Sequence, residues 1–186
     1  MPLGRRIEVT PGFCILWALL LLVLPLRLLM ATAAAAGLHE LCHWAAIGLL
    51  GGQVRRLRIG AGGMVMETGP MPPRQELVCA LAGPVGSLLL VPLYGRFPCL
   101  ALCGLVQGCF NLLPLYPLDG GRVMSCILEL LIPRCRERIL RWIEWGVLAL
   151  LLAAALGLRM GCGPILVWGM LAMRKIPCKD SRFGVQ

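Results

Sequence analysis

Long apolar runs are the feature of this sequence that most restricts how the chain can fold. A helix that crosses the hydrocarbon core of a bilayer needs about 20 mostly apolar residues, and six runs approach or reach that length. The stretch 120–132 is also apolar, but it is shorter and follows a turn, which favours a dipping or interfacial helix. The six runs cover about 13–30, 31–50, 76–95, 97–113, 139–157 and 161–173, of which the last is short and interrupted by glycine.

The composition supports the same class of fold. Hydrophobic residues make up 59% of the chain and charged residues 15%, whereas soluble domains average about 45–50% and about 25%. The ten cysteines form no C-x-x-C pair, so a disulfide framework is not expected. These values argue against a soluble globular enzyme, a disordered chain and a small disulfide-rich domain. The sequence predicts one all-α membrane domain over 1–186, a polytopic bundle of about six transmembrane helices.

The placement of charge predicts how these helices are oriented. The net charge is +9, but the basic residues lie between apolar runs rather than along one stripe, which argues against a nucleic-acid partner. With a cytoplasmic N-terminus and six spans, the cytoplasmic side receives all but three of the 18 Lys and Arg residues, in keeping with the positive-inside rule. We therefore expect a multi-pass protein of the cell membrane, with the first run retained as a span and both termini cytoplasmic. The three exceptions are Arg27, Arg96 and Arg159.

A short extended segment is expected between the second and third helices. In 53–68, apolar residues flank the glycine-rich stretch 60–63, which predicts a β-hairpin. A strand at this place could pair with an extended substrate by edge addition. The alternative is a basic interfacial loop that touches anionic lipid. The apolar residues are Val54, Leu57, Ile59, Val65 and Met66.

The two histidines of the chain are separated by one helical turn. His39 and His43 stand at positions i and i+4 of an apolar run, so both imidazoles can reach one metal ion from the same helix face. Glu40 follows the first histidine and completes the H-E-x-x-H arrangement of zinc hydrolases. A charged residue inside an apolar span is costly and is by default functional. The pattern predicts a metal centre rather than two polar side chains that are merely satisfied inside a helix bundle.

A third protein ligand is needed, because a catalytic zinc site normally has three protein ligands and a water molecule. Asp119 is distinguished by its surroundings, since Pro114 and Pro117 hold an extended turn and Gly120 allows a tight bend. In the predicted topology this turn and the two histidines lie at similar depth. The spacing alone leaves two interpretations open, a zinc ligand or an ordinary aspartate at a helix cap.

Two segments of the chain resemble the signature motifs of a known family. HELCH at 39–43 and NLLPLYPLDGG at 111–121 are similar to the motifs of the site-2 protease family of intramembrane zinc metalloproteases. The residues around the second motif and the six-span layout most resemble those of the sporulation-type bacterial branch of that family. The resemblance covers about 31–125, and the last two predicted helices carry no matching motif. The second motif fits N-x-x-P-x-x-x-x-D-G at Asn111, Pro114, Asp119 and Gly120.

The resemblance implies specific roles for these residues. It implies that His39, His43 and Asp119 hold one Zn²⁺ ion per chain and that Glu40 is the general base. Asn111 would either stabilise the oxyanion through its amide or brace the loop that follows it.

A third family element lies between the two motifs and is only partly preserved. Relatives tend to carry Gly-Pro-x-x-Asn, and here the corresponding segment runs from Gly83 to Ser87, with serine in the last place. Gly83 and Ser87 are therefore candidates for substrate binding. Whatever the asparagine does in relatives, Ser87 would do weakly or not at all.

The expected function is that of a membrane-embedded zinc endopeptidase that cuts a membrane-associated regulatory protein near the cytoplasmic face. The resemblance suggests an anti-sigma factor or a membrane-tethered sigma-factor precursor as substrate, and an inhibitory or regulatory membrane protein as a further partner. The alternative is a non-proteolytic membrane metal-binding protein, either a transporter or a sensor. That alternative predicts ligands along a path, but the chain has no third histidine and no acidic ladder. A catalytically dead scaffold would usually show a damaged motif, and here the motif is intact.

Overall fold

The computed structural model describes residues 6–60 and 63–157, most of which lie in helices. The chain divides into two compact units, Met1–Leu140 and Arg141–Gln186, and the second is described only over 141–157. The regular elements are β1 (Arg6–Val9), α1 (Pro11–Val23), α2 (Leu26–Leu49), β2 (Val54–Gly60), β3 (Gly63–Thr68), α3 (Pro73–Leu88), α4 (Pro98–Asn111), α5 (Asp119–Leu131) and α6 (Arg136–Gly157). Two 3₁₀ helices, Val91–Gly95 and Pro133–Cys135, follow α3 and α5.

Prolines determine where several helices begin. Pro11, Pro73 and Pro98 each occupy the first turn of a helix, where the missing N–H group costs no hydrogen bond. Pro25 directly precedes α2 and separates it from α1. The predicted division of the first two helices at residue 30 is therefore wrong, because the break lies at Pro25, whose ring cannot continue the preceding helix.

The membrane-spanning capacity of the described helices is only partly as predicted. Two helical stretches, Pro73–Gly95 and Pro133–Gly157, are long and apolar enough to cross a bilayer. Pro11–Val23 and Pro98–Asn111 are apolar but shorter. The sixth predicted run, 161–173, lies outside the described residues, so the total of six spans stays a prediction. The helix α5 corresponds to the short apolar stretch that was expected after the turn.

Helix α3 lies at the centre of the first unit and packs against α2, α4 and α5. Small residues permit these close approaches. A Cβ atom at Gly104 of α4 would lie 2.6 Å from the carbonyl oxygen of Ser87, and one at Gly86 would collide with Sγ of Cys42 on α2. Cys42, inside the first motif, thus packs against α3. The core that results is built largely from small side chains.

The three strands form one sheet in the order β1-β2-β3. β2 and β3 pair antiparallel, which confirms the predicted hairpin, although Ala61 and Gly62 of its turn lie outside the described residues. β1 pairs parallel to β2 and was not foreseen, because a strand of four residues near the N-terminus has too little pattern to recognise. The register places apolar side chains on one face of the sheet, namely Ile7, Val9, Leu57, Ile59, Met64 and Met66.

The opposite face of the sheet is charged. Arg56 Nε lies 3.7 Å from a carboxylate oxygen of Glu8 and 3.9 Å from one of Glu67, and Arg58 Nε lies 3.6 Å from Glu8. These groups are substantially exposed, so each pair contributes little to stability. The sheet is therefore amphipathic, with an apolar face and a face of alternating charge.

Candidate metal centre

The two histidines share one face of α2, as their spacing predicts. The side chains are buried, with His39 3% and His43 8% exposed. Their Nε2 atoms lie 3.2 Å apart and point at a common position. Since α2 is continuous from Leu26 to Leu49, both imidazoles are carried by one rigid element.

Asp119 reaches the same position from a different helix. It is the first residue of α5, and its Oδ2 atom lies 3.0 Å from Nε2 of His39 and 3.1 Å from Nε2 of His43. Asp119 is 9% exposed. The three ligand atoms therefore form a nearly equilateral triangle in the protein interior, and this geometry agrees with the ligand interpretation of Asp119.

The loop before α5 is held close to the start of that helix. A Cβ atom at Gly120 would collide with the carbonyl groups of Leu112 and Leu113, and one at Gly121 would lie 2.6 Å from the backbone nitrogen of Tyr116. The two glycines thus allow the loop backbone to lie directly against the first turn of α5. This packing places the Asp119 carboxylate at the end of the loop, facing α2.

The outer nitrogen of each imidazole has its own partner on α3. Nδ1 of His43 donates a hydrogen bond to the backbone carbonyl of Cys79 over 2.7 Å, and Nδ1 of His39 lies 2.9 Å from Oγ of Ser87. Partners of this kind hold a metal-ligating imidazole in one orientation and one tautomer. Both rings are consequently anchored on their outer side, with Nε2 directed inward.

The three inward atoms fit a cation. Because Nδ1 of His43 donates its hydrogen to a carbonyl, Nε2 of the neutral ring is an acceptor, as is the Asp119 carboxylate. Two acceptors 3.1 Å apart repel one another unless a proton or a metal ion lies between them, so this spacing is compatible with a metal ion. Ligand atoms bound at about 2.0–2.1 Å to a tetrahedral zinc ion lie roughly 3.3–3.4 Å apart, close to the observed separations. His39, His43 and Asp119 thus have the donor types, burial and spacing of a zinc site.

Gly83 supplies the space that the His43 ring occupies. A Cβ atom at position 83 would collide with Nε2, Cδ2 and Cε1 of His43. Gly83 and Ser87 are one turn apart on α3, as His43 and His39 are on α2, and the order is reversed because the two helices run antiparallel at this point. Gly83 therefore faces His43, and Ser87 faces His39. Ser87, which stands where the family pattern has asparagine, thus lies directly against a proposed zinc ligand.

Two further predicted site residues lie on α2 and α4. Glu40 is half-buried on α2, next to His39, and Asn111 is half-buried as the last residue of α4. Their roles, and the substrate-binding roles of Gly83 and Ser87, stay predictions. The residue that the sequence did not reveal is Cys79, because it acts through its backbone carbonyl, a group that every residue carries.

Comparisons with known proteins agree with this geometry. No protein-family model matches the chain. A zinc metalloprotease of Methanocaldococcus jannaschii is 30% identical over an alignment of 129 residues, which covers 62% of this chain and 36% of that protein. The chain thus spans little more than a third of the length of this relative. A solved structure, the site-2 protease from the same organism, has the same fold, with a TM-score of 0.66 over 97% of this chain and 94% of that chain at 23% identity. The sequence match and the shared fold support the resemblance of the two motifs to the site-2 protease family.

Proposed function

We propose that this protein is an intramembrane zinc metalloendopeptidase that cleaves a membrane-associated regulatory protein near the cytoplasmic face. The observation that carries the proposal is the triangle of ligand atoms, 3.0–3.2 Å on each side, formed by His39, His43 and Asp119. The relative named a zinc metalloprotease supports both the metal and the reaction class.

The chain's own residues divide the work between binding and proton transfer. His39, His43 and Asp119 hold the ion, while Ser87 and the Cys79 carbonyl keep the two rings oriented. Zinc held there would act as a Lewis acid, which activates water for attack and polarises the scissile carbonyl group.

Glu40 is the proposed general base. It accepts a proton from the attacking water and later passes it to the amine that leaves when the peptide bond breaks. Its place on α2 beside His39 keeps the carboxylate near the reacting atoms without making it a ligand. Asn111 has two candidate roles, donation of an amide hydrogen to the oxyanion or bracing of the loop that leads to Asp119.

A substrate helix must be unwound before it can be cut, because its peptide bonds are shielded by helical hydrogen bonds. β3 lies at an edge of the sheet, so one side of its backbone is open to pairing. An extended substrate segment could add to that edge as a further strand. The charged face of the sheet is the alternative contact, with anionic lipid rather than substrate.

The test is co-expression of the protein with candidate single-span substrates, comparing wild type with Glu40→Gln and with Glu129→Gln as a matched acidic control on α5. We expect Glu40→Gln to abolish processing while the purified protein retains one zinc ion per chain. Glu129→Gln is expected to leave processing unchanged, because this residue pairs with Arg136 at the opposite end of α5 from Asp119.

Two outcomes would contradict the proposal. Unchanged processing by Glu40→Gln would remove the proposed general base. Wild-type protein that binds zinc but cleaves none of the substrates, while moving zinc across vesicle membranes, would favour the transporter alternative.

A further inference from the structure

An ion pair joins α3 to α5 beside the metal centre. Nη2 of Arg122 lies 3.4 Å from Oε1 of Glu76, and the two side chains are 35% and 39% exposed. Arg122 is one helical turn after Asp119 on α5. Glu76 is one turn before Cys79 on α3, whose carbonyl accepts the hydrogen bond from His43. The pair therefore links the turn that presents one ligand to the turn that orients another.

Buried thiol side chains lie one helical turn from each member of the pair. Cys79, one turn after Glu76, is 2% exposed, and Cys126, one turn beyond Arg122, is 3% exposed. Hydrophobic contacts hold two helices together but are non-directional, so they specify the position of one helix along the other only weakly. A charge-assisted hydrogen bond between two particular atoms is directional and can specify that register.

We propose that Glu76 and Arg122 are positioning residues for the metal centre, which set the register of α5 on α3 and thereby place Asp119 against the two histidines. The inference rests on the proposed function, since it assumes a zinc ion at the three ligand atoms. Metal–ligand distances must stay within about 0.2 Å of their ideal values, so a small shift of α5 along α3 weakens binding.

The experiment measures zinc affinity of the full-length chain in detergent, by competition with a chromogenic chelator. Glu76→Gln and Arg122→Gln are each expected to weaken zinc binding about tenfold, the lower end of the range for residues outside the ligand shell. The exchanged pair, Glu76→Arg with Arg122→Glu, is expected to return the affinity to within about threefold of wild type.

A second ion pair supplies the matched control. Nη1 of Arg136 lies 2.6 Å from Oε2 of Glu129, and these side chains are 35% and 43% exposed, similar to those of the first pair. Glu129 is ten residues after Asp119, roughly 15 Å along α5. Glu129→Gln therefore removes a comparable interaction far from the ligands and is expected to leave zinc affinity unchanged.

The outcomes separate positioning from general stabilisation. If the single variants bind zinc within about twofold of wild type, the inference is overturned even if their Tm falls, because a merely stabilising pair leaves the affinity of folded molecules unchanged. An exchanged pair that folds, by far-UV circular dichroism, but fails to restore affinity also overturns it. If Arg122→Gln does not fold, Arg122→Lys replaces it. We expect Arg122→Lys to lower zinc affinity several-fold, and an unchanged affinity would contradict the inference. Failure of wild type to bind zinc would instead overturn the metal site of the proposed function.

Discussion

The ring of His43 occupies the volume in which residue 83 would carry a Cβ atom, so glycine at this position is a requirement of the site. The orientation of the His43 ring depends on the absence of a methyl group at Gly83 of α3. Burial of His43 against Gly83 also keeps bulk water from the side of the ring that faces α3. The metal centre is therefore shaped by α3 as much as by the helix that carries the histidines.

Gly83→Ala is expected to weaken zinc binding by at least 100-fold, because the new methyl group would displace the His43 imidazole from the ligand triangle. Gly37→Ala is the control, since a Cβ atom at that position of α2 meets nothing within 4 Å. Alanine in a helix interior is favoured over glycine by about 0.5–1 kcal/mol, so the control is expected to be slightly stabilised. Chelator competition on both variants decides the point, and equal affinities would contradict the steric account.

Ser87 has a contact that its sequence position did not reveal, the hydroxyl group 2.9 Å from Nδ1 of His39. Ser87→Ala is expected to weaken zinc binding about 10- to 100-fold, the usual effect of losing a residue that orients a ligand imidazole. Ser125→Ala on α5 controls for loss of a half-buried hydroxyl group elsewhere. Zinc affinity of Ser87→Ala within threefold of the control would argue for the substrate-binding role instead.

The loop and first turn of α5 act as one element. Gly120 and Gly121 lie against the loop backbone, so the position of Asp119 depends on how tightly the loop returns. α2, by contrast, presents His39 and His43 from within one continuous helix. Asp119 is consequently the proposed ligand most sensitive to changes in neighbouring elements.

Gly120→Ala tests this dependence. The added methyl group would collide with the Leu112 carbonyl and push α5 away from the loop, and we expect at least a tenfold loss of zinc affinity. Gly146→Ala on α6 is the control, because a Cβ atom there meets nothing within 4 Å. Calorimetric titration with zinc measures both, and identical binding curves would show that the close packing at Gly120 is dispensable.

Helices and strands could be predicted from the sequence where their boundaries depend on nearby residues, but not where they depend on contacts between distant residues. The helices and the hairpin could be predicted because apolar runs, prolines and glycines act within a few residues. The boundary between the first two helices was predicted at residue 30 rather than at Pro25, since two apolar runs separated by a proline can be divided in more than one way. β1 escaped prediction because its pairing with β2 joins residues about 50 positions apart.

At the largest scale, the described part of the first unit combines a core of small residues with an outer surface rich in large apolar side chains, including Leu22, Leu49 and Leu131. This arrangement suits a lipid environment, in which helices approach through small residues and large apolar groups meet the acyl chains. The two helical stretches that are long and apolar enough to span a bilayer agree with it.

The orientation of the chain across the membrane is a prediction about the whole molecule. The bias of Lys and Arg predicts that the hairpin turn is cytoplasmic and that Arg96 is external. A green fluorescent protein inserted at Gly63 is expected to fluoresce, and alkaline phosphatase fused after Arg96 is expected to be active. Exchanging the reporters at the same two positions is the control, and phosphatase activity at Gly63 would invert the topology.

The sequence by itself determined which side chains are candidate ligands and how two of them are spaced: one turn of α2 separates His39 and His43, and long apolar runs set the mostly helical fold. Only the tertiary structure decided that Asp119 completes the triangle, 80 residues away from His39, and that α3 supplies the partners of both rings. The physical reason is that helix periodicity is a short-range property, whereas convergence of distant side chains depends on how packed helices align. The Cys79 carbonyl and the space at Gly83 acquire their roles only through that alignment.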